Sequence, residues 1–433
     1  MRRDLSVSAS PPVLSHLWNH LKMPKINTER LMSNLRDLRK IGAQGTGVVR
    51  PALSAKDMEA RQWLKSLYED AGLEAEMDGV GNLIGRSRNP GPALLIGSHS
   101  DTQPTGGWLD GALGVVYGLE VARALAEDPA TAHLAVDAIA LQDEESRFLG
   151  CMGSNSMCDL LEDGFQTGVV DKDGVSLVDA IRDAGLGDAP LFSIDTDRYI
   201  GFLEAHIEQG PHLEDDGLQI GVVDTIVGLR GIEFKFEGQQ NHAGTTMMAG
   251  RRDAATALYE VAHAINQRFP GVAGERSVWT MGRVDVQPGA PSIVPGYAEL
   301  ELQFRDRSED VLDAMMAEAH SIVAEVNALG RATVSAEESR VRVSPAHMDA
   351  GLQQHLADAA ASHSGDRWQR MPSGAFHDAG IISKRLPCAL MFIPSIGGIS
   401  HDFAEDSHDT DIIRGCEVFA DAAASALLEA NAG

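Results

Sequence analysis

The chain has 433 residues, of which 43% are hydrophobic and 23% charged, as in ordinary globular proteins. With 36 lysines and arginines against 63 aspartates and glutamates, its formal charge is −27, which argues against partners such as nucleic acid or an anionic membrane surface. The length exceeds that of one ordinary hydrophobic core, so two domains are expected.

The first half of the chain alternates helical and strand patterns in the manner of an α/β domain with a mostly parallel sheet. Apolar residues at helical spacing predict helical structure between residues 27 and 72. The run GVGNLIG (79–85) lacks the GxGxxG spacing of a nucleotide-binding loop and is interpreted as a strand or turn. A strand, a helix and a second strand are predicted next, at 93–97, 111–126 and 133–141.

Near residue 223 the pattern changes to that of a smaller α+β unit. Residues 231–239 alternate apolar and polar side chains, as in a half-exposed antiparallel strand. A helix, two strands, a helix and a strand are predicted to follow, at 252–269, 276–286, 297–305, 308–329 and 331–336. The sequence therefore predicts a discontinuous catalytic domain, residues 1–222 and 341–433, into which residues 223–340 are inserted.

Histidines and acids suited to a divalent metal occur in five short segments, GSHSDT, LDGALG, DEES, EAHIEQG and GGISH. The candidate ligands are His99, Asp110, Glu145, His206 and His401. Imidazole and carboxylate bind borderline metals such as zinc, and two metals bridged by one carboxylate form a hydrolase site. We predict two divalent ions, with zinc the first choice and manganese, cobalt or nickel as alternatives.

The acidic residues of these segments have competing interpretations. Asp101 can accept the second ring N–H of His99 and so fix its tautomer. Asp110 is either the N-cap of the following helix or a carboxylate that bridges two metals. We expect Glu144 to be the general base that takes a proton from water and Glu145 to be a ligand. The sequence alone allows these two roles to be exchanged.

Seven motifs in order resemble those of the amidase, hydantoinase and carbamoylase family of dimetal hydrolases, within the wider superfamily of aminoacylases and carboxypeptidases. They are GSHSDT, GGWLDGALG, DEESRF, EAHIEQGP, NHAGTTMM, SIVPG and GGISHDF, and the resemblance covers about residues 28 to 425. The family includes N-carbamoyl-L-amino-acid hydrolases, allantoate amidohydrolases and β-ureidopropionases. The resemblance implies one metal on His99 and His206, another on Glu145 and His401, and a bridge through Asp110.

The resemblance also implies that residues 223–340 form a lid and dimerisation domain. His242 is expected to reach the active site of the partner subunit in a homodimer and polarise the scissile carbonyl, although NHAG alone equally suits a turn. Gln209 is expected to contact the substrate amide. Arg305 is expected to bind the substrate carboxylate through two hydrogen bonds, although by position alone it is a charged residue at a strand end.

Two positions depart from the family pattern and bear on the substrate. Ser292 stands where the family usually has asparagine, and its hydroxyl reaches less far and offers fewer donors. Phe376, in GAFHDA, replaces a glycine and adds a ring beside the expected substrate pocket. The adjacent His377 either supports that pocket or has a structural role.

The cysteines and the N-terminal segment favour a cytoplasmic location. No CxxC pair occurs among the four cysteines, which predicts free thiols in a reducing compartment. The N-terminus has two arginines but no apolar run of signal-peptide length. No stretch approaches the ~20 apolar residues that span a membrane.

Together these features predict a metal-dependent amidohydrolase that cleaves the carbamoyl C–N bond of an N-carbamoyl-L-amino acid or a similar ureido acid. Allantoate or another purine-derived ureido acid is the alternative substrate, and an aminoacylase or dipeptidase is a weaker alternative. A lid-domain scaffold without metal, which would only bind a partner, is disfavoured because all five ligands and the base are present.

Overall fold

The computed structural model describes residues 24–339 and 341–432, so the N-terminal segment considered for targeting lies outside the described residues. The chain divides into two compact units. The first contains the described residues up to Val222 together with Asp349–Gln369 and those from Lys384 onward. The second consists of Val223–Met348 and Arg370–Ser383.

The described residues contain eleven α-helices and seventeen strands. The helices are α1 Thr28–Lys40, α2 Ala55–Asp70, α3 Ala112–Glu127, α4 Met152–Met157, α5 Leu177–Asp183, α6 His212–Asp215, α7 Ala254–Arg268, α8 Glu309–Ala328, α9 Ala350–Ser364, α10 Asp378–Ile382 and α11 Asp409–Ala432. The strands are β1 Ala43–Gln44, β2 Gly47–Val48, β3 Glu74–Met77, β4 Leu83–Arg86, β5 Ala93–His99, β6 Ala135–Leu141, β7 Tyr199–Ile207, β8 Ile220–Ile226, β9 Gly228–Glu237, β10 Asn241–His242, β11 Val278–Gln287, β12 Ile293–Val294, β13 Tyr297–Asp306, β14 Thr333–Glu338, β15 Ala346–His347, β16 Trp368–Ser373 and β17 Cys388–Ile393.

A mostly parallel sheet organises the first unit, as predicted. Six of its strands have the order β17-β7-β5-β6-β4-β3, and the first four of these run parallel to one another. Strand β4 is antiparallel to β6, and β3 is antiparallel to β4. Because parallel strands end at one edge of a sheet, the residues that end or follow β5, β6 and β7 lie close together.

Apolar helices cover this sheet. All residues of β5 and β6 are buried, and α3, which packs on them, is buried around most of its circumference. Helix α1 packs on α3, and its Leu31, Leu35 and Leu38, which recur at helical spacing, are buried in the same core. The helical pattern predicted over residues 27–72 is divided into α1 and α2. Gly42 lies between these two helices with a φ of +89°, a conformation that favours glycine. A Cβ atom there would also lie only 2.6 Å from the Val49 carbonyl oxygen.

The second unit contains a four-stranded antiparallel sheet in the order β11-β13-β9-β14. Alternate residues of β13 are buried and form a core with α7 and α8. The predicted α+β character and the predicted strands and helices of this region are confirmed, with ends that differ by a few residues.

The second unit begins where the inserted domain was predicted to begin, at Val223, but its other limits differ from the prediction. It continues past residue 340 to Met348 because β15 pairs with the end of β8, where Ala346 lies opposite Ile226. It also includes Arg370–Ser383, and there the Ser373 carbonyl accepts a hydrogen bond from Val227.

The four cysteines are buried and form no disulfide, as predicted. In the described part of the chain, no helix combines the length and apolar character needed to cross a membrane.

Candidate metal centre

Two buried imidazoles lie at the carboxyl ends of neighbouring strands. His99 is the last residue of β5, and His206 lies one residue before the end of β7. Their Nδ1 atoms lie 3.0 Å from the Asp101 carbonyl oxygen and 2.8 Å from the Ile207 carbonyl oxygen. Because a carbonyl only accepts, Nδ1 carries the proton in each neutral ring, and Nε2 keeps the lone pair that a metal requires.

Asp101 contacts His99 through its backbone carbonyl and not, as the sequence suggested, through its carboxylate. The His99 ring meets its backbone carbonyl, whereas its carboxylate Oδ1 lies 3.9 Å from His99 Nδ1, too far for a hydrogen bond. The carboxylate instead accepts the backbone N–H groups of Asp143 at 3.0 Å and Glu145 at 3.3 Å. Asp101 therefore connects the end of β5 to the loop that follows β6.

Asp110 directs its two carboxylate oxygens to different histidines. Oδ1 lies 2.9 Å from His206 Nε2 and 3.4 Å from His99 Nε2, while Oδ2 lies 3.3 Å from His401 Nε2. No side chain caps α3, whose N-cap is Gly111, so the N-cap interpretation of Asp110 is wrong. Gly111 is needed for this close approach because a Cβ atom there would lie 2.4 Å from the His99 ring.

Glu145 and His401 lie on the other side of Asp110. Glu145 Oε2 is 3.7 Å from His401 Nε2. Gln103 holds this glutamate by donating from Nε2 to its carboxylate at 2.7 Å and to its backbone carbonyl at 3.2 Å. His401 is half-exposed and has a φ of 55°, a left-handed conformation that costs an ordinary residue about 1–3 kcal/mol and is common at functional sites.

The five predicted ligands form two sets that share Asp110. One set is His99, Asp110 and His206, and the other is Asp110, Glu145 and His401. The candidate ligand atoms of each set lie within 4.8 Å of one another, as atoms arranged around a single cation do. Mixed imidazole and carboxylate donors fit a borderline divalent metal, and a shared carboxylate fits a pair of them.

The electrostatics of this cluster also favour cations. Burial and then the Asp110 charge raise the pKa of Glu145 to about 7. The hydrogen bond to Asp110 raises the pKa of His401 to about 9 against the opposing effect of burial. Burial lowers the pKa of His99, but the hydrogen bond to Asp110 and the nearby acids outweigh it and raise this pKa well above its usual value. Divalent ions can replace the protons that the crowded carboxylates attract.

Glu144 lies beside the ligands but belongs to neither set. Its Oε2 is 3.8 Å from His99 Nε2, and its Oε1 is 3.8 Å from the Cys151 thiol sulfur. The side chain is 11% exposed, so it can meet a water molecule at the site. This arrangement favours Glu145 as the ligand and Glu144 as the base, the assignment that the sequence left exchangeable.

Gln209 also lies at the metal centre. Its Nε2 donates to Asp110 Oδ2 at 3.1 Å and lies 3.4 Å from His401 Nε2. Its Oε1 is buried and has no hydrogen-bond partner within residues 24–339 and 341–432. A buried acceptor without a partner typically costs about 1–3 kcal/mol, so a substrate N–H that bound there would gain this energy.

Glu405 is a buried residue of the site that the sequence analysis missed. Its Oε1 accepts the backbone N–H of Asp110 at 3.1 Å, and its Oε2 accepts the Ser400 hydroxyl at 2.9 Å. Gly107 makes room for this carboxylate, because a Cβ atom there would lie 1.8 Å from Glu405 Oε1. The sequence signal was weak, an acid five residues after Ser400 and two residues beyond the GGISHDF motif that contains His401.

The second unit brings together two of the predicted substrate residues. The Arg305 guanidinium carbon lies 5.4 Å from the centre of the Phe376 ring, and Arg305 Nη1 donates to the Gly374 carbonyl at 2.8 Å. Burial lowers the pKa of Arg305. The neighbouring His377 is buried, and its Nε2 lies 2.9 Å from the Ser373 hydroxyl, so it holds the segment that presents Phe376.

His242 and Ser292 are also neighbours in the second unit. His242 is exposed on β10, which pairs with β12, and the Ser292 carbonyl accepts the N–H of Ala243 at 2.9 Å. The Gly244 N–H donates to His242 Nδ1 at 3.1 Å. The neutral ring therefore carries its proton on Nε2, which is then a hydrogen-bond donor.

Comparison with known proteins agrees with this geometry. Residues 95–425 match the peptidase family M20/M25/M40. The chain is 32% identical to an N-carbamoyl-L-amino-acid amidohydrolase of Paenarthrobacter aurescens, over 92% of this chain and 98% of that protein. It is 32% identical to an allantoate amidohydrolase of Bacillus subtilis, over 84% of this chain and 89% of the other. A crystal structure of a hydantoinase/carbamoylase family amidase from Burkholderia phymatum has 47% identity and a TM-score of 0.90, covering 95% of this chain and 100% of its own.

Proposed function

Because the chain belongs to the peptidase family M20/M25/M40, we propose that it is a metal-dependent amidohydrolase acting on the carbamoyl C–N bond of an N-carbamoyl-L-amino acid or a similar small ureido acid. The products are the amine, ammonia and carbon dioxide. The observation that carries the proposal is the pair of ligand sets that share Asp110, with Glu144 beside them.

The chain holds two divalent cations in this proposal. His99 and His206 would hold one, Glu145 and His401 would hold the other, and Asp110 would be shared by both. When bound, such a pair supplies Lewis acidity toward the carbamoyl oxygen and toward the attacking water. Zinc is our first choice, and manganese, cobalt and nickel accept the same donors.

The other residues supply proton transfer and binding. Glu144 takes a proton from the attacking water and returns it to the leaving amine. Gln209 accepts a substrate N–H through Oε1, and Arg305 binds the substrate carboxylate. Ser292 and Phe376 adjoin His242 and Arg305, respectively, and so bear on substrate choice. Four buried cysteines that form no disulfide fit the cytoplasmic location that we infer.

A substrate panel tests the proposed function. The metal-loaded protein is assayed for amine and ammonia with N-carbamoyl-L-amino acids, allantoate, ureidoglycolate, N-acetyl amino acids and dipeptides. We expect amine and ammonia in equal amounts from N-carbamoyl-L-amino acids, and the highest kcat/KM within this group. A preference for allantoate would support the alternative ureido substrate. A preference for N-acetyl amino acids or dipeptides would refute carbamoyl specificity.

Substitution of Arg305 with methionine is expected to weaken carboxylate binding. The variant keeps an unbranched side chain against Phe376 but loses both charge and donors, and a charge-assisted hydrogen bond contributes roughly 1.5–3 kcal/mol. We expect kcat/KM for the preferred acid to fall about 10- to 100-fold, mainly through KM.

The matched control for this variant is the same substrate with its carboxylate converted to an amide. The native protein is expected to prefer the acid strongly, whereas Arg305→Met is expected to treat acid and amide almost alike. An unchanged preference for the acid in the variant would exclude Arg305 as the carboxylate anchor.

We further propose a homodimer in which His242 of one subunit completes the active site of the other. The support is the Nε2 donor of an exposed histidine, which suits stabilisation of the oxyanion formed from the carbamoyl carbonyl. The strand pair β10–β12, which carries this residue, belongs to the unit that we infer to form the lid and dimer contact.

Mixing two inactive variants tests the shared site. In a hybrid of Glu144→Gln and His242→Ala subunits, one site combines both changes and the other has neither. Hybrids are therefore expected to regain up to half of native activity after the two variants are unfolded and refolded together. Each variant refolded alone serves as the control. If hybrids form but show only the activity of the parent variants, His242 acts within its own subunit or not at all.

A further inference from the structure

A fully buried arginine, Arg61 of α2, lies behind the loop that carries Glu144 and Glu145. The guanidinium group donates to Asp57 Oδ1 at 3.0 Å, Gly81 O at 2.9 Å, Ala140 O at 2.9 Å, Leu141 O at 2.8 Å and Gln142 Oε1. Three of these acceptors belong to consecutive residues that end β6 and lead directly into the loop. Both glutamates follow within a few residues.

The geometry of these contacts needs a guanidinium group. Its planar fork of donors reaches several fixed acceptors at once, whereas a lysine ammonium is a single point of charge on a flexible stem. A buried cation is tolerated only when its donors are satisfied and an anion is near. Asp57, which is also buried, supplies that anion and accepts the Leu53 N–H through its other oxygen.

A second anion extends this network to the loop. Asp101 Oδ1 lies 3.9 Å from Arg61 Nη2, and the Asp101 carboxylate accepts the backbone N–H groups of Asp143 and Glu145. The carbonyls before the loop and the N–H groups within it are therefore held by one connected set of buried charges.

The loop itself has an unfavourable backbone conformation that must be maintained. Asp143, immediately before Glu144, has a φ of 57°, in the left-handed region that ordinary residues rarely adopt. Its carboxylate accepts the N–H groups of Arg147, Phe148 and Leu149 at 2.6, 2.9 and 2.8 Å. Such conformations persist only where the surroundings determine them, and they occur mostly at functional sites.

We propose that Arg61 is a positioning residue that fixes the direction of Glu144 and Glu145 by hydrogen bonds to the end of β6 and by the attraction of its charge for the Asp101 carboxylate. Arg61 is buried in the core, and among its hydrogen bonds are those to the backbone of Ala140 and Leu141 and to the side chain of Gln142, which precede the two glutamates. This inference rests on the proposed function, since it assigns a purpose to the placement of the base and of one ligand.

The test is Arg61→Lys in the full-length, metal-loaded protein. Lysine keeps the charge but cannot reach all of these acceptors, so the loop is expected to shift. A misplacement of about 1 Å can lower a rate about 100-fold, so we expect kcat to fall roughly 10- to 100-fold while KM stays within about threefold. In the cobalt(II)-loaded protein, we expect the visible absorption bands to change because Glu145 moves.

Arg230→Lys is the matched control. Arg230 is also buried, donates to the Leu229 and Val343 carbonyls at 3.0 and 2.8 Å, and pairs with Glu309, but it belongs to the second unit. Both variants are expected to lower the thermal unfolding temperature, whereas only Arg61→Lys should alter kcat and the cobalt spectrum. Native kcat and spectrum in Arg61→Lys would overturn the proposal, as would an equal loss of kcat in Arg230→Lys.

If Arg61→Lys does not fold, Asp57→Asn tests the proposal instead. Asparagine has the size of the aspartate that pairs with Arg61 but no charge, so kcat is expected to fall as in Arg61→Lys, with KM unchanged. Native kcat in a folded Asp57→Asn protein would then refute the proposal. Failure of the proposed function gives a different result, namely a native protein that neither binds cobalt nor hydrolyses ureido acids.

Discussion

Glu144→Gln is expected to lower kcat by about 100- to 10,000-fold, the contribution of a well-placed general base, with little change in KM. Glutamine has nearly the same size and keeps a carbonyl oxygen, but its amide cannot take a proton from water. Glu144 belongs to neither ligand set, so the variant is expected to bind metal as the native protein does. The measurements are steady-state kinetics and metal content on the same preparation.

Glu145→Gln is the matched variant at the adjacent position. Because Glu145 belongs to the ligand set with His401, this change is expected to reduce the affinity for one of the two cations. Activity should then be partly restored by excess metal, whereas Glu144→Gln should not respond. The reverse pattern would show that the two glutamates have exchanged roles.

Asp110→Asn is expected to weaken metal binding more than Glu145→Gln does, because the Asp110 carboxylate belongs to both ligand sets. An asparagine has no charge and offers one oxygen in place of two, so both cations should bind more weakly. If the variant forfeits about 4 kcal/mol of charge stabilisation in the transition state, turnover falls about 1,000-fold. The measurements are metal stoichiometry after dialysis and kcat in metal-containing buffer.

Asp409→Asn provides the control for removal of one acidic charge. Asp409 is exposed, pairs with Arg36 and is in neither ligand set. It is expected to keep native metal content and activity, since exposed pairs contribute little to stability. Two tightly bound cations in Asp110→Asn, together with native turnover, would contradict the bridging role.

The five candidate ligands could be identified from sequence because each lies in a short motif with other polar residues. The α/β class was also predictable, since the buried strands β5 and β6 are continuous apolar runs. Strand β7 was not predicted, although it carries His206. It contains a buried charged residue, Glu204, which pairs with the Ser98 hydroxyl at 2.7 Å and interrupts the apolar pattern.

The residues that hold the ligands in place could not be predicted from sequence. Arg61 contacts residues 79 to 81 positions away, and Glu405 contacts Asp110 across 295 positions. Separations as long as these do not indicate a contact, and a buried charge looks the same in sequence as an exposed one. The limits of the second unit depended in the same way on distant strand pairing, between Ala346 and Ile226.

The Asp101 contact shows a different limit of sequence reasoning. The spacing from His99 correctly placed an oxygen of Asp101 next to the imidazole, but the backbone carbonyl occupies that position. The carboxylate faces the loop after β6 instead, because the N–H groups of Asp143 and Glu145 lie there. A motif therefore identifies which residue is near, whereas the atom that makes contact depends on the fold.

Titration of the metal-free protein with zinc or manganese, with turnover of an N-carbamoyl-L-amino acid measured at each addition, tests the proposal that this protein is a two-cation amidohydrolase. We expect no turnover without metal, and activity that stops increasing once two ions are bound per subunit. Full activity in the metal-free protein, or a protein that binds two ions and releases no ammonia from any ureido acid, would contradict it.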